Sequence, residues 1–299
     1  MQGTVDGFSY GLVTPVAAFL MACLGGALGL RCTTRSLRHH DTFKAGWLAL
    51  GATSIGTGIW TMHFIAMMGF SVAQAPIDYD RPITFASLGV AVLMVGIGIF
   101  IVGYRGATAL TLVTGGTITG LGVATMHYLG MAGMRFQGRI EYDTVTVAFS
   151  VVIAVVAATA ALWAAVSVHG FLASLGASLV MGVAVSGMHY TAMAAVSVHL
   201  HGAGAPGGPG DPATSLLLPM LIGPAVFLIL AAVVVMFDPL LVMGDPDWQR
   251  PAARIPHRPG VPAPRHVPSY GEPANWSARP VGRVARRAVP RGGHRSQDW

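Results

Sequence analysis

Between residues 8 and 243 the charged side chains fall in short clusters, separated by apolar stretches of about 20 to 30 uncharged residues. A helix of that length rises about 30 Å, enough to cross the hydrocarbon of a bilayer. Lipid offers no partner to backbone N–H and C=O groups, so such stretches fold as helices. The chain is therefore predicted to be all-α, a polytopic transmembrane bundle of seven helices. The expected spans are Phe8–Leu30, Ala45–Val72, Ile83–Tyr104, Ala107–Met134, Val145–Val168, Phe171–Val198 and Leu216–Phe237. With 53% hydrophobic and 10% charged residues and a mean hydropathy of +0.61, the composition excludes an ordinary water-soluble domain. The formal charge of +6 does not indicate nucleic-acid binding, because ten of the eighteen Arg and Lys residues lie beyond position 249 in a Pro-rich segment. That segment, 244–299, has little apolar periodicity and is expected to be a disordered tail.

Within the spans one short pattern recurs three times: Met62-His63-Phe64-x-x-Met67, Met126-His127-Tyr128-x-x-Met131 and Met188-His189-Tyr190-x-x-Met193. The histidines are 64 and 62 residues apart, the length of two membrane helices with their connections. The repeat extends past the motif. Gly56-x-Gly58-x-x-Thr61 and Gly120-x-Gly122-x-x-Thr125 precede the first two copies, and Ile77-Asp78-Tyr79-Asp80 and Ile140-Glu141-Tyr142-Asp143 follow them. The third copy keeps Gly182 and has Gly187 in place of the threonine. The expected architecture is three two-helix repeats plus a seventh span, in which Pro219 and Pro224 favour a kink.

Arg and Lys in short loops set orientation. Loops after spans one, three and five hold 4, 1 and 0 of them and the tail ten, against 1, 2 and 0 after spans two, four and six. The expectation is an N-terminus outside, a cytoplasmic tail, and all three motifs towards the outer ends of spans two, four and six. The N-terminus lacks a basic region and a small-residue cleavage site, so the first span is expected to be retained. Cys23 and Cys32 would stand about 13 Å apart along one helix, too far for a disulfide.

Histidine at i and methionine at i+4 share a helical face, and the methionine at i−1 is about 100° round from it. Three such ends brought together present His63, His127 and His189 beside Met67, Met131 and Met193, with Met62, Met126 and Met188 flanking. Imidazole with thioether suits a soft ion, copper above all, whereas calcium and magnesium want oxygen donors and zinc's usual sites offer Cys, His or carboxylate, with no Cys in any motif. Haem ligation by two of the histidines is a further possibility. The alternative is structural: methionine fills gaps in cores, and a membrane histidine can be satisfied by a carbonyl or hydroxyl. Recurrence at equal depth in three helices favours a ligand, metal or proton site.

Among lesser signals, the paired glycines read as points of close helix approach. Asp78, Asp80, Glu141 and Asp143 read as solvated loop charges or an entry surface for a cation, and His199 and His201 as an exposed pair that could pass an ion on. No arrangement of carboxylates or of nucleophile and base marks an enzyme. The arginines at 283, 286, 287, 291 and 295 could touch anionic lipid.

The three motif copies resemble the bacterial MHYT-domain integral membrane proteins, over about residues 8–243. The full Met-His-Tyr-Thr word stands at Met188-His189-Tyr190-Thr191, while the other copies read Met-His-Tyr-Leu and Met-His-Phe-Ile. The resemblance implies a sensor of the bacterial inner membrane that binds copper or another redox-active metal through motif His and Met residues and responds to redox state, oxygen, carbon monoxide or nitric oxide. It also implies a cytoplasmic signalling partner, here without a catalytic output domain on the same chain. Competing readings are a transporter of a metal or small solute, and a non-enzymatic assembly factor for a membrane redox enzyme.

Overall fold

The computed structural model describes residues 5–7, 9–38, 43–72, 77–168, 171–200 and 213–237. The expected tail, 244–299, and His201 lie outside the described residues. Seven helices follow in order: α1 Val13–Arg38, α2 Lys44–Met68, α3 Arg81–Arg105, α4 Ala109–Ala132, α5 Thr144–Ser167, α6 Phe171–Ala194 and α7 Ala213–Met236. Six of them are long and apolar enough to cross a membrane.

Short strands that were not expected lie at one end of the bundle, and three of them overlap the predicted ends of spans two, four and six at Val72, Met134 and Val198. β1 Val5–Asp6 pairs with β2 Ser71–Val72, β3 Asp78–Tyr79 with β4 Met134–Arg135, and β5 Gly138–Tyr142 with β6 Val196–Leu200, each antiparallel. Each pair joins the segment before an odd helix to the segment after the next even one, so the unit is strand, helix, helix, strand. The three units close a ring in which α1 to α6 each pack on both neighbours and α6 returns to α1.

Glycines set the spacing of this ring in the same way in each unit. Gly56, Gly120 and Gly182 all stand seven residues before the motif histidine. A Cβ at Gly56 would lie 2.8 Å from Val92 Cα of α3, one at Gly120 would lie 2.5 Å from Val155 Cα of α5, and one at Gly182 would lie 2.4 Å from Cys23 Sγ of α1. Gly58 faces the other way, where its Cβ would lie 2.7 Å from Gly25 Cα of α1. The paired glycines therefore let each even helix nest between two odd ones, as their sequence positions indicated.

The helix that falls short in hydropathy, α2, is the one most enclosed. Sixteen of its 25 residues are buried, among them Ser54, Thr57, Thr61 and His63. α7 packs against α2 and α1, outside the ring. The polar groups of α2 thus face protein rather than lipid. Leu93, Leu110, Val156 and Val183 on the other helices point outward, as lipid-facing side chains do.

Both ends of α1 also differ from expectation. α1 starts at Val13 and runs on through Arg31 and Arg35 to Arg38, so the predicted basic loop is largely the last turns of a helix. Long cationic side chains favour a helix C-terminus and reach water past their apolar stems, so charge alone did not end the span. α7 continues as helix through Pro219 and Pro224. Cys23 and Cys32 are both buried and form no disulfide, in keeping with their spacing along α1.

Candidate metal centre

The motif-bearing ends of α2, α4 and α6 converge on the ring's interior and bring the three histidines into mutual contact. His63 Nδ1 lies 3.1 Å from both His127 Nδ1 and His189 Nδ1, and the last two are 3.3 Å apart. The imidazoles stand nearly perpendicular to one another, at 78–82°, like the blades of a propeller, and are buried to 0–2% exposure.

Neutral imidazoles cannot satisfy this triangle. Each contact needs one nitrogen with a proton and one without, and around a ring of three at least one contact must pair like with like. A cation at the centre, held by all three Nδ1 atoms, would resolve the conflict. A circle through three atoms 3.1–3.3 Å apart has a radius of about 1.8 Å, close to the 2.0–2.1 Å typical of metal–imidazole bonds. The site is all-nitrogen and uncharged, which suits copper or zinc and not calcium or magnesium. A haem does not fit: bis-histidine ligation needs a flat macrocycle between two imidazoles, and these are already in contact.

The surrounding residues brace the rings. Each histidine packs edge-on against the aromatic that follows it: His63 on Phe64 at 4.6 Å, His127 on Tyr128 at 4.9 Å and His189 on Tyr190 at 5.0 Å between centroids. Only the ring is needed for that, which explains why phenylalanine serves in the first copy. Tyr128 adds a 2.7 Å hydrogen bond to Ser150 of α5, and Trp60 Nε1 donates to Thr84 O at 3.1 Å and Ser87 Oγ at 3.0 Å, tying α2 to α3 beside the site.

The small residue three positions after each histidine escaped the sequence reading. Ala66, Gly130 and Ala192 occupy it, and a Cβ on Gly130 would lie 2.6 Å from His63 Nε2. The signal was a small side chain at one fixed offset in all three copies.

The methionines surround the triad unequally. Met62, Met126, Met67 and Met131 are sealed at 0–1% exposure, whereas Met193 is half-buried. Met188, also sealed, lines a second cavity of about 50 Å³ deeper in the bundle, along with Ile59, Val95, Ile99, Val123 and Leu162.

The acidic loop residues have structural work. Asp80 caps α3, accepting from Ile83 N at 3.1 Å, and meets Arg135 at 2.5 Å; Asp143 caps α5, accepting from Thr146 N at 2.8 Å. The Arg135 side chain and the Ile83 N–H hold the Asp80 carboxyl below its usual range, and Thr146 does the same for Asp143. Burial pushes the Tyr79 hydroxyl up, and the Tyr142 hydroxyl up to about 12. His199 contacts Glu141 at 3.1 Å across the β5–β6 pair, and Arg139 also meets Glu141.

Fold and site define a multi-span helical membrane protein with a buried trihistidine cluster at one end. Residues 56–115 and 120–178 match the family described as MHYT, bacterial signalling protein N terminal repeat. Over those residues the chain carries two copies of that repeat. It is 37% identical over 197 residues to the bifunctional diguanylate cyclase/cyclic di-GMP phosphodiesterase MucR of Pseudomonas aeruginosa, covering 64% of this chain and 29% of the relative. It is 35% identical over 209 residues to the cyclic di-GMP phosphodiesterase NbdA of the same organism, covering 65% and 26%. A third relative, the signaling protein YkoW of Bacillus subtilis, is 30% identical over 190 residues, covering 61% and 23%. The chain thus spans less than a third of the length of these relatives. No solved structure gives a significant match.

Proposed function

We propose that the protein is a sensory module of the bacterial inner membrane that binds copper through His63, His127 and His189, with Met67, Met131 and Met193 as neighbouring thioethers and Met62, Met126 and Met188 packing behind. The observation that carries this reading is the closed triangle of three buried Nδ1 atoms, an arrangement that neutral imidazoles do not satisfy and a cation does. Copper is favoured over zinc by the thioethers that flank every ligand. Bound copper would supply a one-electron couple and an affinity for diatomic gases; the chain's own residues orient the three imidazoles and exclude bulk water from them.

Charge supports an outward-facing site. Of the described cations, Arg31, Arg35, Arg38, Lys44 and Arg105 lie towards the end away from the site, and Arg81, Arg135 and Arg139 lie at the site end. By the positive-inside rule the end away from the site is cytoplasmic. Kinship with proteins named for cyclic di-GMP turnover points to an output of that kind at the cytoplasmic end, in a partner or a further domain.

The second cavity argues against ion transport. Apart from Thr33, Thr119 and the thioethers of Met181 and Met188 its lining is hydrocarbon, so a hydrated or hard cation leaving the triad inward would find almost no donors. The test is metal content: protein purified without added metal is expected to hold about one copper per chain, and the triple variant His63→Ala, His127→Ala, His189→Ala none. Copper retained by the triple variant would remove the assignment.

A further inference from the structure

The methionines at i+4 are equivalent in sequence but differ in surroundings. Met67 and Met131 are sealed, and Met193 is half-buried. Beside Met193 lies a cavity of about 260 Å³ between the outer ends of α2 and α6, bounded by Met67 and Phe70 on one side, His189, Tyr190 and Met193 on the other, and Gly7. It therefore reaches one member of the triad directly. A Cβ placed on Gly7 would meet no atom within 4 Å, and Ala194 beside the cavity is exposed. On the α2–α4 side the ring of Phe64 fills the corresponding space, 3.3 Å from where a Gly130 Cβ would stand.

We propose that this vestibule is the loading route of the site, and that Met67 and Met193 form a thioether relay passing a soft monovalent cation, Cu(I), from the outer surface to His189. The inference rests on the metal reading above. An ion bound for a buried site must exchange its water for other donors on the way. Thioethers offer that exchange to Cu(I) and offer little to hard cations, so the route also selects. Met67 supplies the inner thioether and Met193 the outer, on facing helices with the ligand between them and the ring interior. His189 is accordingly the first imidazole met, and His63 and His127 complete the triangle.

The test uses the full chain in lipid nanodiscs, offered Cu(I) as its coloured bicinchoninate complex, with transfer followed by loss of colour. The variant Met67→Leu with Met193→Leu conserves volume and should fold. It is expected to load at least about tenfold more slowly than wild type, with the three imidazole ligands intact. Met134→Leu, which removes a thioether from the same end of the bundle outside the vestibule, is expected to load at the wild-type rate. Equal rates for wild type and the double variant, or equal slowing by Met134→Leu, would overturn the relay and leave the metal site standing. Wild-type protein that takes up no Cu(I) would overturn both. As a second arm, Met193→Cys treated with a membrane-impermeant thiol reagent is expected to stop loading, with the untreated variant as its own control; Cys23 and Cys32 are buried. Treated protein that loads as fast as untreated would also overturn the route.

Discussion

The triad and the small cavity beneath it are walled by the same ring of helices, yet their chemistry is opposite. Above Met188 three imidazoles, a tyrosine–serine hydrogen bond and aromatic braces crowd one depth; below it the lining is aliphatic except for Thr33, Thr119 and the thioethers of Met181 and Met188. The difference shows what the repeat supplies. The GxG segments fix helix spacing along the shaft, and the motif residues place donors only where the three even helices meet. Imidazoles confined to one depth hold an ion and do not conduct it.

The largest effect expected from breaking this contrast is at Gly130. Its Cβ would fall 2.6 Å from His63 Nε2, so Gly130→Ala must displace the ring. Metal affinity is expected to fall about 10- to 100-fold, as when other residues that orient metal ligands are changed, measurable by competition with a chelator. An unchanged affinity would mean that His63 is not held in the way described.

A smaller effect is expected below the triad. Ala158 lines the deeper cavity, and Ala158→Val adds carbon into it. Thermal unfolding should shift by no more than about 1.5 kcal/mol either way, with metal stoichiometry and loading rate unchanged. Loss of metal would join the two regions into one site.

The smallest effect concerns the caps at the triad's end. The Asp80 carboxyl is held below its ordinary value of 3.8, by Arg135 first and by the Ile83 N–H second. A carboxylate depressed in the folded state stabilises it above the unfolded value, and that contribution is lost as pH falls through the folded one. Wild type should therefore melt above Asp80→Asn at neutral pH, with the gap closing as pH drops below about 4. A gap that persisted or widened in acid would mean the carboxylate is not the stabilising form.

Much of this architecture was legible because it is periodic. Apolar run lengths marked the helices, and the 64- and 62-residue spacing of His63, His127 and His189 marked the two-helix unit and placed all three at one depth. The strands that close each unit were not legible, since two residues such as Asp78 and Tyr79 have no period to detect and pair only through tertiary contact. The end of α1 was misplaced because Arg31 and Arg35 read as a loop, while a helix leaving the membrane tolerates both. The acidic residues read as open charges until Asp80 and Asp143 were seen to cap α3 and α5. Nor could spacing alone separate Met193 from Met67 and Met131, because the distinction arises from what the neighbouring helices and Gly7 place beside it.

The central claim, that three buried imidazoles share one cation, is tested most directly by metal analysis of wild type and of the triple histidine-to-alanine variant, each purified without added metal, with absorption spectra in oxidised and reduced states. The expected result is about one copper per wild-type chain, a spectrum that changes between the two states without haem bands, and no copper in the variant. Wild-type protein free of metal, or a variant that retains it, would contradict the account.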